Sequence, residues 1–259
     1  MEIIISLVYG IIQALSEFLP VSSSGHLALF PKVFSFKDPG VIYDFLLHVG
    51  TAVAMTVYFR REIKDVLLQI YRRKFPSDPV LDSRFLFTSV VTSIVLIFIL
   101  KGPALKIGRS PNLIGINLIV FGILLVLSEK LGKNNKNVGY KIAILIGLAQ
   151  AIAVFPGVSR SGITITMGLF LGLSKFNAAR FSFLMSIPII YAGVLYKSPV
   201  LFTGENLGFS LTSALIGTAV SAIVGYFVIH WFLKFIQKIS LMWFCVYRIL
   251  IGILVLTLL

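Results

Sequence analysis

Six long apolar runs constrain the fold of this chain more than any other feature. They lie near residues 41–59, 85–100, 112–128, 181–198, 209–229 and 242–258. Most approach the ~20 residues with which a helix crosses a bilayer, and they are continuous rather than alternating, which argues against a β-barrel. Since 58% of the residues are hydrophobic and only 13% are charged, we expect an all-α polytopic membrane protein, with residues 1–259 forming a single integral membrane domain.

A short segment occurs twice in the chain. Residues 10–26 read GIIQALSEFLPVSSSGH and residues 147–163 read GLAQAIAVFPGVSRSGI, which align without a gap and share eight identities. The apolar stretches within residues 3–36 and 142–173 are too short to cross a bilayer singly, and Pro, Gly and Ser interrupt them. Irregular backbone at membrane depth must be enclosed by protein or by a wet cavity, so we interpret both regions as re-entrant helical hairpins.

The duplication also predicts how the two halves are related. Three apolar runs separate the hairpins, and an odd number of crossings inverts the second copy relative to the first. We therefore predict an inverted repeat with halves of about 1–128 and 138–259. Each half would contain one hairpin and about three transmembrane helices. Inverted repeats with broken helices usually place their site where the halves meet.

The net charge of +13 fits a membrane protein without any nucleic acid partner. Fifteen of the 23 basic residues fall in the loops 60–84, 129–141, 174–180 and 230–240, which lie on one side of the predicted topology. An excess of Lys and Arg marks the cytoplasmic side. Membrane lipids are therefore the expected partners of this basic surface, and no nucleic acid is expected.

Glu17 is the first candidate for chemistry. It ends an apolar segment, where a carboxylate is costly and is therefore a functional hypothesis by default. Gln13 lies four residues earlier on the same helix face, and Asp44 begins the next apolar run. Oxygen ligands from these three residues suit a hard divalent cation, Mg²⁺ or Ca²⁺. The alternative is a Glu that caps its own loop at the membrane interface.

A Ser-rich turn follows Glu17 and places hydroxyls beside an imidazole. Ser23 with His26 nearby forms the minimal pair for an activated nucleophile. We predict that the neighbouring Ser22 and Ser24 contact phosphate. The alternative is that these serines only cap the helix that begins there. His48, four residues after Asp44, is left without an assigned role.

The second copy contains an anion-binding motif, PGVSRSGIT at residues 156–164. A Gly-flanked turn opens a helix whose first N–H groups attract anions, and Arg160 adds a planar fork that suits phosphate oxygens. The predicted phosphate ligands here are Ser159, Arg160, Ser161, Gly162 and Thr164. The alternative is a structural ion pair between Arg160 and Glu17. Arg248, another cation in an apolar run, is either structural or a support of the phosphate site.

The two motifs resemble those of bacterial undecaprenyl-diphosphate phosphatases of the bacitracin-resistance type. QALSEFLPVSSSGHL resembles that family's (E/Q)xxxE stretch followed by FLPVSSxGH, and PGVSRSGIT resembles its PGxSRSxxT box. YDFLLHVGT, FSFLMSIP and the late VYRI are also similar, so the resemblance covers essentially the whole chain. Gln13 occupies the position that is Glu or Gln in the family, so a role as a metal ligand is more secure for Glu17.

The resemblance implies hydrolysis of undecaprenyl diphosphate to the monophosphate, which recycles the lipid carrier for peptidoglycan synthesis and confers resistance to bacitracin. It implies Glu17, Ser23, His26 and Arg160 as catalytic residues, with Ser23 as nucleophile and His26 as its partner. Attack by water instead of Ser23 is left open. The resemblance also implies a divalent cation and a multi-pass protein of the bacterial plasma membrane with its site toward the outer face. A homodimer is left open.

Two other functions compete with this interpretation. Lipid phosphatases of the phosphatidic acid phosphatase type share the SGH and SR fragments, but that type has a His six residues after the Arg, where this chain has Thr166. A transporter or flippase for polyprenyl phosphate is the second alternative, because inverted repeats with broken helices are common in transporters.

Overall fold

The computed structural model describes residues 2–34, 36, 38–72, 75–76, 78–107, 110–198 and 209–259, and these contain α-helices and two short 3₁₀ turns but no strand. The helices of the first half are α1 (Glu2–Phe18), α2 (Ser23–Val33), α3 (Val41–Tyr58), α4 (Arg60–Arg72), α5 (Ser83–Ile107) and α6 (Pro111–Leu131). Those of the second half are α7 (Tyr140–Ala151), α8 (Arg160–Phe170), α9 (Lys175–Lys197), α10 (Leu211–Phe235) and α11 (Met242–Leu258).

The apolar helices are those of a multi-pass membrane protein, which confirms the predicted fold class. Within the described ranges, α5, α6, α9 and α10 are long and apolar enough to cross a bilayer, and α3 joined to α4 makes a fifth candidate. The 17-residue α11 belongs with the shorter apolar helices. All six apolar runs predicted from the sequence are therefore helical.

The prediction of a loop over residues 60–84 is wrong in its first half. Residues 60–72 form α4, which leaves α3 at an angle of 75°. The signal is present in the sequence RREIKDVLLQIYR, because its apolar residues recur at helical spacing while charged residues occupy the other face. Leu67 and Ile70 on this helix remain exposed, as expected for an amphipathic helix that lies at a membrane surface.

Both repeated segments form helical hairpins. Hairpin one consists of α1 and α2, and hairpin two consists of α7, the 3₁₀ turn Ile152–Val154 and α8. At the tips, Ser22 and Ser159 have φ values of 81° and 74°. Each serine Oγ accepts the N–H of the glycine three residues later, at 3.4 and 3.1 Å. The copies thus share their local conformation, while an inverted relation of the two halves stays a prediction.

The equivalent glycines Gly10 and Gly147 explain part of the repeated sequence. A Cβ at Gly10 would lie 2.6 Å from the carbonyl oxygen of Gly217 on α10, and one at Gly147 would lie 2.5 Å from the carbonyl oxygen of Ser89 on α5. Small residues permit such close approach of membrane helices. Each hairpin is therefore anchored by its first helix against a long helix of the bundle.

Candidate active site

The tips of the two hairpins meet beside a cavity of about 490 Å³. Ser161 Oγ of hairpin two donates a hydrogen bond of 3.1 Å to the carbonyl oxygen of Leu19 in hairpin one. The predicted site residues that line the cavity are Glu17, Ser23, Ser24, Asp44, Ser159 and Arg160. Residues from both copies of the repeat therefore contribute to one site.

Glu17 lies at the centre of this site. The carboxylate is 7% exposed, and its Oε2 accepts hydrogen bonds from Ser23 Oγ at 2.6 Å and from Gln13 Nε2 at 3.2 Å. His48 Nε2 lies 3.4 Å from the same oxygen. A carboxylate that faces a hydroxyl at this distance is placed to accept its proton.

The other oxygen of Glu17 forms an ion pair with Arg160 Nη2. One hairpin tip supplies the anion and the other supplies the cation, as the structural alternative predicted. The pair also lies in the cavity wall, so an anionic ligand can reach Arg160. Among the described residues, Glu17 is the charge partner of this partly buried guanidinium. A phosphate could replace that carboxylate, because its oxygens bind a guanidinium in the same way.

The structure does not bring His26 and Ser23 together as a catalytic pair. His26 Nδ1 lies 2.7 Å from the carbonyl oxygen of Ser22, and its Nε2 lies 2.7 Å from the hydroxyl of Tyr247. The imidazole stacks on the Tyr247 ring with centroids 5.6 Å apart. Both ring nitrogens are thus occupied, one by the Ser22 carbonyl oxygen and one by Tyr247 on α11. The group beside the Ser23 hydroxyl is Glu17.

Some predicted phosphate ligands build the tips instead of lining the cavity. These are Ser22, Ser161, Gly162 and Thr164. Thr164 is fully buried, and its Oγ1 lies 2.6 Å from the hydroxyl of Ser182. Ser22 caps the N-terminus of α2. Of the predicted phosphate ligands, Ser24, Ser159 and Arg160 line the cavity, although Ser159 Oγ also caps α8.

The donor set beside Glu17 fits a hard cation better than a soft one. The Asp44 and Glu17 carboxylates are both buried and line the same cavity. Gln13 is fully buried, and its amide oxygen has no hydrogen-bond partner in the described part of the chain. Carboxylate and amide oxygens are the ligands of Mg²⁺ and Ca²⁺. Over the described ranges, no group of three His, Cys, Asp or Glu residues is close enough to hold a metal by itself.

Arg248 fixes the relative position of the two tips. Its side chain is 0% exposed. The carbonyl acceptors of its guanidinium belong to Pro20, Asn117, Leu118, Gly157 and Val158, at 2.9 to 3.3 Å. Pro20 belongs to the tip of hairpin one, and Gly157 and Val158 belong to that of hairpin two. Of the two roles left open by the sequence, the structure supports the structural one.

The comparison with known protein families agrees with this geometry. The family model of the bacitracin resistance protein BacA matches residues 6–254. The chain belongs to the BacA family. Undecaprenyl-diphosphatase 1 of Pseudoalteromonas translucida is 38% identical to it, over 98% of this chain and 97% of that protein. The undecaprenyl-diphosphatase of Trichlorobacter lovleyi is 40% identical, over 100% of this chain and 98% of its own.

A third BacA relative, the undecaprenyl-diphosphatase of Geobacter metallireducens, is 40% identical over 95% of this chain and 94% of its own. The resemblance based on the two motifs is confirmed. Sequence reasoning gave no role in this BacA-family site to His48, which the structure places against Glu17. The four-residue spacing from Asp44 could have revealed this, because it lets His48 Nδ1 lie 2.7 Å from the Asp44 carbonyl oxygen. The other ring nitrogen, Nε2, is then directed toward Glu17 in the cavity wall.

Proposed function

We propose that this BacA-family chain hydrolyses undecaprenyl diphosphate to undecaprenyl phosphate and inorganic phosphate. The proposal depends on the convergence of Glu17, Ser23 and Arg160 in one cavity wall, where a proton acceptor, a hydroxyl and a phosphate-binding cation face the same space. Three relatives similar over nearly their full length carry the name undecaprenyl-diphosphatase. The reaction would recycle the lipid carrier for peptidoglycan synthesis and confer resistance to bacitracin.

The lining of the cavity suits a lipid with a charged head. Apolar side chains that include Ile97, Leu105 and Ile190 form much of its wall, and the polar group around Glu17 forms another part. A volume of about 490 Å³ is in the range of small-molecule sites. It admits the diphosphate and the first isoprene units, while the rest of the hydrocarbon chain remains in the surrounding lipid.

Two routes to hydrolysis begin at the terminal phosphorus. In the first, the Ser23 oxygen attacks the phosphorus and its proton passes to Glu17. The bond from phosphorus to the bridging oxygen breaks, so that undecaprenyl phosphate leaves. Water then hydrolyses the phosphoserine and releases inorganic phosphate. In the second, a water positioned in the same place attacks directly. In both routes Arg160 stabilises the charge on the phosphoryl oxygens, and catalysis depends on positioning and electrostatics.

We also propose that the reaction uses a divalent cation, Mg²⁺ or Ca²⁺. Glu17 and Asp44 would hold it, and the buried amide oxygen of Gln13 is a candidate third ligand. A bound cation would neutralise negative charge on the diphosphate. It would also replace Arg160 as the partner of Glu17 and leave the guanidinium available to the substrate.

The site is proposed to face the outer side of the bacterial plasma membrane. The asymmetry of basic residues supports this orientation, because fifteen of 23 lie in loops assigned to the cytoplasmic side. Arg60, Arg61 and Arg72 on α4 belong to that group. Hairpin one then opens toward the outside, where undecaprenyl diphosphate is released during cell-wall synthesis.

Phosphate release by the purified protein in detergent tests the function. Wild type is expected to release phosphate from undecaprenyl diphosphate with Mg²⁺ or Ca²⁺ and to stop when a chelator removes the cation. Arg160→Ala and Glu17→Ala are expected to be inactive, whereas Arg61→Ala, at an exposed position on α4, retains activity. A folded wild type that releases no phosphate with either cation contradicts the proposal and favours the transporter, since detergent abolishes transport but not hydrolysis.

A further inference from the structure

One polar side chain of the cavity has no hydrogen-bond partner among the described residues. Gln150 on α7 is 2% exposed and lines the cavity beside Glu17 and Arg160. Neither its amide oxygen nor its amide nitrogen has a hydrogen-bond partner in the residues that the structure describes. Buried amides are nearly always hydrogen-bonded, so this group indicates a ligand that the cavity receives.

The repeat explains why Gln150 is left without an acceptor. Its equivalent in the first copy is Gln13, which donates to Glu17 at 3.2 Å. The residue equivalent to Glu17 in the second copy is Val154, which also lines the cavity and has no side-chain acceptor. The second copy therefore keeps the donor and lacks the internal anion, which leaves the donor available to an external one.

Lys101 on α5 adds a positive charge to the lining of the same cavity. It lines the cavity, and its Nζ lies 4.4 and 5.1 Å from the ring centroids of Phe98 and Tyr196. The helices α5 and α7 are joined by a hydrogen bond of 2.9 Å from Ser93 Oγ to the Gly147 carbonyl oxygen. Lys101 lies two helical turns beyond Ser93, and Gln150 lies about one turn beyond Gly147. Both residues are therefore on neighbouring helices, on the C-terminal side of this contact.

The diphosphate requires two sets of donors because it has two phosphates. The donors at the tip of hairpin two, Arg160 and Ser159, can surround one phosphate beside Ser23. The other phosphate needs donors of its own, because the ionised Glu17 and Asp44 side chains in the cavity wall have none to offer. Gln150 and Lys101 supply a second set of donors, and Lys101 lies about one helical turn from the apolar lining residues Ile97 and Leu105 on α5.

We propose that Gln150 and Lys101 bind the phosphate that stays on the lipid, while Arg160 binds the phosphate that is released. This assignment rests on the proposed function and adds two binding residues outside both sequence motifs. The lipid chain then leaves the cavity along α5, past Ile97 and Leu105. Because the two residues hold the substrate equally before and during bond cleavage, they affect KM and not kcat.

Product inhibition separates the two phosphate positions. The substrate is farnesyl diphosphate, and the inhibitors are farnesyl monophosphate, which retains the lipid-side phosphate, and inorganic phosphate. In Gln150→Leu and Lys101→Gln, we expect KM and the Ki of farnesyl monophosphate to rise about tenfold, as for loss of a hydrogen bond to a charged group. The kcat and the Ki of inorganic phosphate should stay within about twofold. Lys106→Gln, at an exposed position of the same helix, is the matched control.

The proposal is overturned if the Ki of farnesyl monophosphate is unchanged in both variants, or if the Ki of inorganic phosphate rises as much. Calorimetry measures the binding of farnesyl monophosphate without any turnover. It therefore shows whether Gln150 and Lys101 bind the monophosphate even if the protein does not hydrolyse diphosphates. A wild type that binds the monophosphate through Gln150 and Lys101 but hydrolyses nothing contradicts only the function. If Gln150→Leu does not fold, as judged by thermal denaturation, Lys101→Gln decides the outcome.

Discussion

Arg248 and Pro20 are 228 residues apart in the sequence and are joined by a hydrogen bond of 2.9 Å from Nη1 of the arginine to the carbonyl oxygen of the proline. The same guanidinium donates to the carbonyl oxygens of Gly157 and Val158 at 3.0 Å. One buried cation therefore sets the separation of the two hairpin tips. Glu17 and Arg160 of the candidate site lie on those tips, so the geometry of this site depends on Arg248.

Replacing Arg248 is expected to damage both stability and activity. Arg248→Met leaves several buried carbonyl groups without donors and should lower the free energy of unfolding by about 3 kcal/mol. Loss of tip alignment should lower kcat/KM by about a hundredfold. Thermal denaturation and phosphate release in detergent measure both effects, with Arg61→Met as the exposed control. Full activity in Arg248→Met would show that the tips are aligned by other contacts.

Glu17→Gln tests the proton acceptor while it conserves the shape of the side chain. The kcat is expected to fall by about a thousandfold, within the range for loss of a general base. Without added divalent cation, inorganic phosphate should bind the variant more tightly than wild type, because Arg160 no longer has an internal carboxylate partner. Inhibition constants and calorimetry measure this. Glu62→Gln, far from the cavity on α4, is the control, and equal phosphate affinity in Glu17→Gln and wild type contradicts the prediction.

The backbone at Ser22 allows a test of the tip conformation. The φ of 81° favours glycine, whereas the cap hydrogen bond from Gly25 N–H favours serine. Ser22→Ala loses the cap and keeps the unfavourable φ, so we expect it to be about 1 kcal/mol less stable than wild type. Ser22→Gly should be more stable than Ser22→Ala. The reverse order of the two melting temperatures would contradict this prediction.

The contact between α5 and α7 predicts intolerance of side chains at Gly147. A Cβ there would lie 2.5 Å from the Ser89 carbonyl oxygen, so Gly147→Ala should destabilise the protein by about 1–3 kcal/mol through overpacking. Gly102→Ala is the matched control on α5, because nothing lies within 4 Å of the added Cβ. This control should be neutral or slightly stabilising. Equal melting temperatures for the two variants would contradict the predicted packing.

The hairpins could be predicted because their causes are local, and the contact between Glu17 and Arg160 could be predicted because of their charges. Pro, Gly and Ser interrupt apolar segments at the two tips, and opposite charges at membrane depth have few other partners. The helix α4 could also have been predicted, since its apolar spacing is visible in the sequence. The many charged residues of this segment instead favour a loop, which is why its polarity alone is misleading.

Other parts of the site depend on contacts that residue types do not encode. The direction of His26 is decided by Tyr247, which is 221 residues away, and spacing within α2 cannot reveal it. Arg248 binds main-chain carbonyl groups, which every residue has, so the sequence shows only that a buried cation needs partners. Gln150 could have been noticed, because the change from Glu17 to Val154 between the copies removes the acceptor of the equivalent glutamine.

The ion pair between Glu17 and Arg160 has a consequence for life in a lipid membrane. Phospholipid phosphates surround this protein at high concentration, and an unoccupied guanidinium in an apolar-lined cavity would attract them. The tethered carboxylate competes with every such headgroup at a high effective concentration. A phosphodiester with a single negative charge gains little by replacing it, whereas a terminal diphosphate with more charge and a bound cation can. We therefore expect Glu17 to act as a tethered competitor of phospholipid headgroups for Arg160, so that the site selects its ligand before any chemistry begins.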